Sequence, residues 1–184
     1  MRKQISLNLL LALLIFGVLG CAELTPAQKV EQYGPNPPRI IDAYAQNKMI
    51  FSDTWQIFLD VEDPDGDMLD IEAHIRVAGG NFDFATVHLK PEMGGRFKGY
   101  VWLDLPFGGH VGYQIITLTL WVVDRAEHKS PFMKFNLYTG DQMSKEEMAR
   151  LERYRGEYKV ALGPIGIELD FQLDGGNDDG IQQD

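Results

Sequence analysis

The chain has 184 residues, a formal charge of −10 and a single cysteine. One cysteine cannot close an internal disulfide or furnish a multi-cysteine zinc or iron–sulfur site. With 17 Lys and Arg against 27 Asp and Glu, the chain lacks the basic surface that sequence-independent nucleic-acid binding needs, so no nucleic acid is expected as a partner. A hydrophobic content of 45% is enough for a packed core.

Arg2 and Lys3 begin the chain with positive charge, and the run LLLALLIFGVLG follows over residues 9–20. A bilayer-spanning helix needs about 20 apolar residues, whereas a signal-peptide core needs about 7–15. Residues 1–20 therefore read as a signal peptide. Its last residues and the next, Val18-Leu19-Gly20-Cys21, resemble the lipobox of bacterial lipoproteins. The resemblance implies a diacylglyceryl group on the Cys21 sulfur, cleavage before Cys21 and acylation (palmitate) of the new amino group. An ordinary signal peptide with an incidental thiol is the other reading. About two acyl chains suffice for stable attachment, so the expectation is a membrane partner through lipidated Cys21. By similarity to Gram-negative lipoproteins, Ala22 behind the cysteine favours the outer membrane over the inner one. Cleavage removes Arg2 and Lys3, leaving 15 basic residues against 27 acidic, a charge of −12.

Residues 21–38 hold Pro26, Gly34, Pro35, Pro37 and Pro38 and read as an extended, Pro-rich tether. Residues 39–138 then carry short strand-like runs with Gly, Pro and Asp between them. Residues 39–44 form a first strand. In TWQIFLDV (54–61), Trp55, Ile57, Leu59 and Val61 share a face. In 69–77, Leu69, Ile71, Ala73, Ile75 and Val77 alternate with polar residues. Runs 83–90, 98–105, 112–124 and 132–138 complete the set. About seven strands with no helix between them predict an all-β fold, an immunoglobulin-like antiparallel β-sandwich. Trp55, Trp102 and Trp121 are the expected large core residues.

Ser144 and Glu147 form a capping box, and Met148, Leu151 and Tyr154 or Arg155 lie on one side of the short helix they start. Gly156 ends it. Residues 139–173 are thus a helix plus strand-like extension that can add to a sheet edge. Residues 174–184 read as a disordered acidic tail: from Glu168 onward there are six acidic residues and no basic one.

The sharpest chemical motif is Asp63-Pro64-Asp65-Gly66-Asp67. Three carboxylates at alternate positions can converge on a hard cation such as calcium, which takes six to eight oxygens. The spacing is not that of an EF-hand, since Met68 and His74 stand where Gly and Glu are required. The same residues also make a good plain turn. The run 61–69 resembles the turn of bacterial cadherin-like and other immunoglobulin-like repeats. Residues 122–130 (VVDRAEHKS) resemble their terminal hairpin, usually V-x-D-x-A-G-N-x-S, with Glu127 and His128 where Gly and Asn are usual. In such a sandwich these two loops share an end. The resemblance thus implies that Asp124 approaches Asp63, Asp65 and Asp67, where four carboxylates would repel unless a cation sits among them.

Other features are weaker. His74, His88, His110 and His128 make no metal-binding spacing. No nucleophile elbow, phosphate loop or dinucleotide fingerprint appears, and Asp60 and Glu62 read as a solvated edge. The loop LPFGGHVGY (105–113) is either a turn with buried aromatics or an exposed aromatic contact. The sequence-based expectation is a membrane-anchored envelope lipoprotein. Its domain would serve a non-catalytic binding or structural role toward a protein or polysaccharide partner. An accessory subunit of a secretion or assembly machine and an envelope hydrolase are the alternatives.

Overall fold

The computed structural model describes residues 23–49, 54–78, 82–105 and 114–166. The signal segment, Cys21, most of the 105–113 loop with His110, most of the 165–173 run and the acidic tail lie outside the described residues.

Two sheets face each other. The first has the order β1 (Arg39–Ala45), β3 (Thr54–Glu62), β6 (Arg96–Asp104), β9 (Val160–Pro164). The second runs β2 (Lys48–Met49), β8 (Met133–Thr139), β7 (Ile115–Asp124), β4 (Met68–Val77), β5 (Phe82–His88). All neighbours are antiparallel except β2 with β8 and β6 with β9. Taking β1, β3, β4, β6, β7 and β8 as strands A, B, C, E, F and G, one sheet holds A, B and E and the other C, F and G. That is the immunoglobulin arrangement, with β5 joined to C instead of E. The all-β sandwich expected from the alternation is the observed fold, with nine strands among the described residues instead of seven. The additions are the short β2 and the edge strand β9.

The alternation decides the core. Trp55, Ile57, Leu59 and Val61 are fully buried between the sheets, against Ile71, Ala73 and Ile75 of β4 and Ile116, Leu118, Leu120 and Val122 of β7. Leu69 is the exception. A register shift between Met68 and Asp70 turns it outward to 37% exposure, and Met68 takes the buried position. Of the three tryptophans, only Trp55 is a core residue, its Nε1 donating to the Gln46 carbonyl at 2.9 Å. Trp102 and Trp121 are half-buried. Trp121 lies on the outer face of its sheet, where its Nε1 donates to Glu72 Oε2 at 2.6 Å. Asp60 is also not solvated, for Arg96 covers it from 3.2 Å.

The outer face of the first sheet carries a second apolar cluster. Register puts Tyr44, Phe58 and Tyr100 in one row across β1, β3 and β6. The C-terminal helix α2 (Lys145–Glu157) lays Leu151, Tyr154 and the following Tyr158 on them. Phe58 is fully buried, with the rings of Tyr154 and Tyr158 at 5.8 and 5.9 Å. Burying a side chain of this size contributes about 1.5–3 kcal/mol. Asp42 fixes the seat: it accepts from the Tyr158 hydroxyl at 2.5 Å and the Tyr154 hydroxyl at 3.3 Å. The Ser144–Glu147 capping box forms as expected. Gly156 lies inside the helix, whose end is capped by Tyr158, and Met148 is exposed.

The segment before the sandwich departs from the extended tether. Residues Pro26–Tyr33 form a helix, α1, capped by Thr25, whose side chain accepts from Gln28 N while Gln28 reaches back to the Thr25 amide. Pro26 suits the first turn because its missing N–H has no helical partner there.

Candidate functional site at the acidic end

The turn 63–67 joins β3 to β4. Pro64 presets φ and Gly66 takes φ +79°. Asp63 organises the turn, its two oxygens accepting from Asp65 N at 3.1 Å and Asp67 N at 3.0 Å. The neighbouring loop buttresses it: Asp63 N donates to Gly95 O and Met68 N to Gly94 O. A Cβ at Gly94 would sit 2.4 Å from the Gly66 carbonyl, so this approach requires glycine.

The β7–β8 hairpin reaches the same end. Arg125 N donates to both the carbonyl and Oδ2 of Asp67, at 3.1 and 3.0 Å. Asp124 is buried and turned to its own loop, accepting from His128 N at 2.8 Å, with His128 Nδ1 3.0 Å from its second oxygen. Glu127 adopts φ +69°. The hairpin keeps its tight shape around a residue that must hold a left-handed conformation.

The third contribution comes from the chain before β1. Asn36 donates to Asp65 through its backbone N at 2.6 Å and Nδ2 at 2.8 Å. Gly34, at φ +111°, has no room for a Cβ, which would meet the Asp65 carboxyl at 2.3 Å. From α1, Lys29 pairs with Glu127, and the Tyr33 ring lies 6.0 Å from the Arg125 guanidinium.

Of the four acidic residues named from the sequence, three gather. Asp63, Asp65 and Asp67 each offer an oxygen within 4.8 Å of the others. Asp124 stands close enough to act on Asp67 by charge, but His128 holds its carboxylate. Asp63 and Asp67 are buried. The charges respond to their surroundings. The two Asn36 hydrogen bonds hold Asp65 below the usual carboxylate range. Asp67 is pushed up to about 6, by burial first, then by its hydrogen-bond contact with Asp63 and the charges of Asp124 and Asp63. Burial also raises Asp124, against the His128 contacts. Asp67 Oδ1 is buried without a hydrogen-bond partner. Three convergent carboxylates, one with an uncommitted buried oxygen, supply part of the oxygen shell a hard cation takes.

The described histidines are dispersed in role. His74 sits edge-on between Phe84 and Trp121, at 4.2 and 4.4 Å. His88 Nδ1 is 2.6 Å from Asp70, and His128 serves the hairpin. Asn36, Gly34 and Lys29 had no place in a reading of residues 21–38 as tether. Their signal was the Thr25-Pro26…Gln28 capping pattern, which places an ordered element just ahead of them.

No protein-family model and no curated protein matches the chain. Among solved structures, it is similar to the CARDB domain of a Pyrococcus furiosus protein, solved in complex with di-metal ions. The identity is 12% and the TM-score 0.29, over 57% of this chain and 92% of that one. It is also similar to a family 76 glycoside hydrolase from a bovine Bacteroides thetaiotaomicron strain, at 15% identity and TM-score 0.33. That match covers 56% of this chain and 20% of the hydrolase.

Proposed function

We propose that this chain is a lipid-anchored protein of the bacterial cell envelope, in which the sandwich serves as a non-catalytic binding or structural domain. The observation that carries the reading is Val18-Leu19-Gly20-Cys21, whose first three residues close a twelve-residue apolar run. The thiol supplies the thioether and Gly20 leaves the scissile bond accessible; Ala22 favours the outer membrane. The fold supports a binding role because an immunoglobulin-type sandwich presents loops at two ends without disturbing its core. Its partner is a protein or polysaccharide of the envelope. Metabolic labelling with palmitate tests the anchor: wild type incorporates label and Cys21→Ala does not. Equal labelling overturns the anchor.

The turn 63–67 takes calcium in this reading. Support comes from the buried, unpartnered Oδ1 of Asp67 beside Asp63 and Asp65. Millimolar calcium raises the melting temperature of the protein, and Asp67→Asn abolishes the rise. An unchanged melt in calcium removes the metal from the proposal.

A further inference from the structure

We infer that residues 25–38, between the anchor and the sandwich, form a docked strap that turns the acidic end of the sandwich toward the bilayer surface. The inference rests on the lipid-anchor reading of Cys21. Three residues lie between Cys21 and Thr25, the cap of α1, and at 3.3–3.6 Å per residue the four steps span at most about 14 Å. After Thr25, three side chains of this segment reach the acidic end. Lys29, its side chain only 16% exposed, pairs with Glu127; Tyr33 lies against Arg125; Asn36 grips both oxygens of Asp65. Gly34 is seated where only glycine fits. Pro35, Pro37 and Pro38 fix φ along the rest of the link, and Pro38 is buried.

A flexible tether of this length would let the domain tumble, with all sides reaching the bilayer equally. A docked strap does not. β7 has ten residues, and at about 3.4 Å per residue the sandwich is roughly 30 Å long. The end carrying the 63–67 turn and the 124–128 hairpin then lies next to the headgroups. The opposite end, where β8 finishes at Thr139, faces away and is the one open to an envelope partner.

The test uses the full chain, lipidated in cells and reconstituted into phosphatidylcholine vesicles containing an acceptor-labelled lipid. Because the thiol of Cys21 is consumed by the lipid, Glu92→Cys or Asp141→Cys supplies the single labelling site. Glu92 is exposed in the turn Pro91–Met93, next to the Gly94 that touches Gly66. Asp141 is exposed just beyond Thr139 at the other end. A fluorophore at 92 is quenched several-fold more than one at 141, and Gly34→Ala with Asn36→Ala brings the two together. Equal quenching at both positions in palmitate-labelled protein overturns the orientation, and so does a difference that survives the double substitution. Absence of palmitate in the starting protein instead overturns the anchor itself, and is read independently of the fluorescence.

Discussion

Glu127 allows backbone strain to be separated from a surface ion pair. It holds φ +69° in a hairpin whose frame is set by Glu127 N donating to Asp124 O at 3.1 Å and Ser130 N to Val122 O at 2.9 Å. A non-glycine residue in this conformation costs roughly 1–2 kcal/mol. Glycine removes that cost and returns part of it, roughly 0.5–1 kcal/mol, as extra freedom of the unfolded chain. The carboxylate meanwhile pairs with Lys29, but its side chain is 63% exposed, so the pair is worth about 0–1 kcal/mol. Glu127→Ala loses the pair and keeps the strain; Glu127→Gly loses both. The difference between the two variants is therefore the strain less glycine's unfolded-state freedom, free of the ion pair, and Gly is expected to be the more stable by about 0.5–1 kcal/mol. Urea titration followed by tryptophan fluorescence measures it, with melting temperatures separated by roughly 2–4 °C per kcal/mol for a chain of this size. A Gly variant no more stable than the Ala variant refutes the strain argument.

Asp67 gives a pH signature. Its folded value of about 6 lies above the ordinary 3.8, so its contribution to stability is complete below the ordinary value and is lost as pH rises through 6. The shift corresponds to about 3 kcal/mol before solvent screening and about 1–2 kcal/mol after it. Melts in chelator from pH 4 to 7.5 should fall for wild type and fall less for Asp67→Asn, which keeps the raised Asp124; parallel curves would sink the reasoning. Tyr158→Phe removes the 2.5 Å donor to Asp42 and is expected to cost about 1–3 kcal/mol, with faster amide exchange along α2; unchanged exchange would show that ring packing alone seats the helix. Burial and Asp42 also hold the Tyr158 phenol well above its ordinary value of 10. Stability is thus complete below pH 10 and declines above it, and absorbance titration should find a tyrosine that ionises only as the protein unfolds. Phe58→Ala is expected to cost about 3–5 kcal/mol, where a residue on a solvated strand face would cost well under one, so a small loss would place Phe58 outside the second core.

The sandwich could be read from the chain because strands buried on one face advertise it by alternation. Trp55, Ile57, Leu59 and Val61 occupy alternate positions, and nothing else satisfies that pattern so simply. The same logic hid the second core. Positions of opposite parity read as solvent-facing, yet Tyr44, Phe58 and Tyr100 fall there and line up in one row only once the registers are known. Phe58 in TWQIFLDV and Tyr154 with Tyr158 after the Ser144 cap were the clues, and long-range register was the missing piece. Leu69 failed for a related reason. A one-residue shift beside Asp70 reverses inside and outside, and no local residue type announces it. At the acidic end, the convergence of the 63–67 turn with the 124–128 hairpin was foreseeable from the fold. That His128 would take Asp124 for the hairpin was not, because it depends on a backbone amide presented by the turn. Proline content in residues 21–38 concealed α1, although Pro26 sits where a helix accepts proline and Thr25 with Gln28 forms its cap.

The acidic turn and the strap depend on each other through Asp65. Asp63 commits both oxygens to the turn's own amides, and Asp65 receives two donors from Asn36. Their negative charge is therefore met by oriented dipoles whether or not an ion is bound. Asp67 is left with one oxygen satisfied by Arg125 and one satisfied by nothing among the described residues. A proton or a cation can relieve it, and burial with the neighbouring Asp124 and Asp63 charges pushes Asp67 toward holding a proton. A carboxylate oxygen has two lone pairs, so Asp65 can keep Asn36 and still face a cation. The segment before β1 thus orients the Asp65 carboxylate of the turn through Asn36. A Pro-rich tether would not have done so, which is why the short helix and its glycine matter more than the composition of the segment.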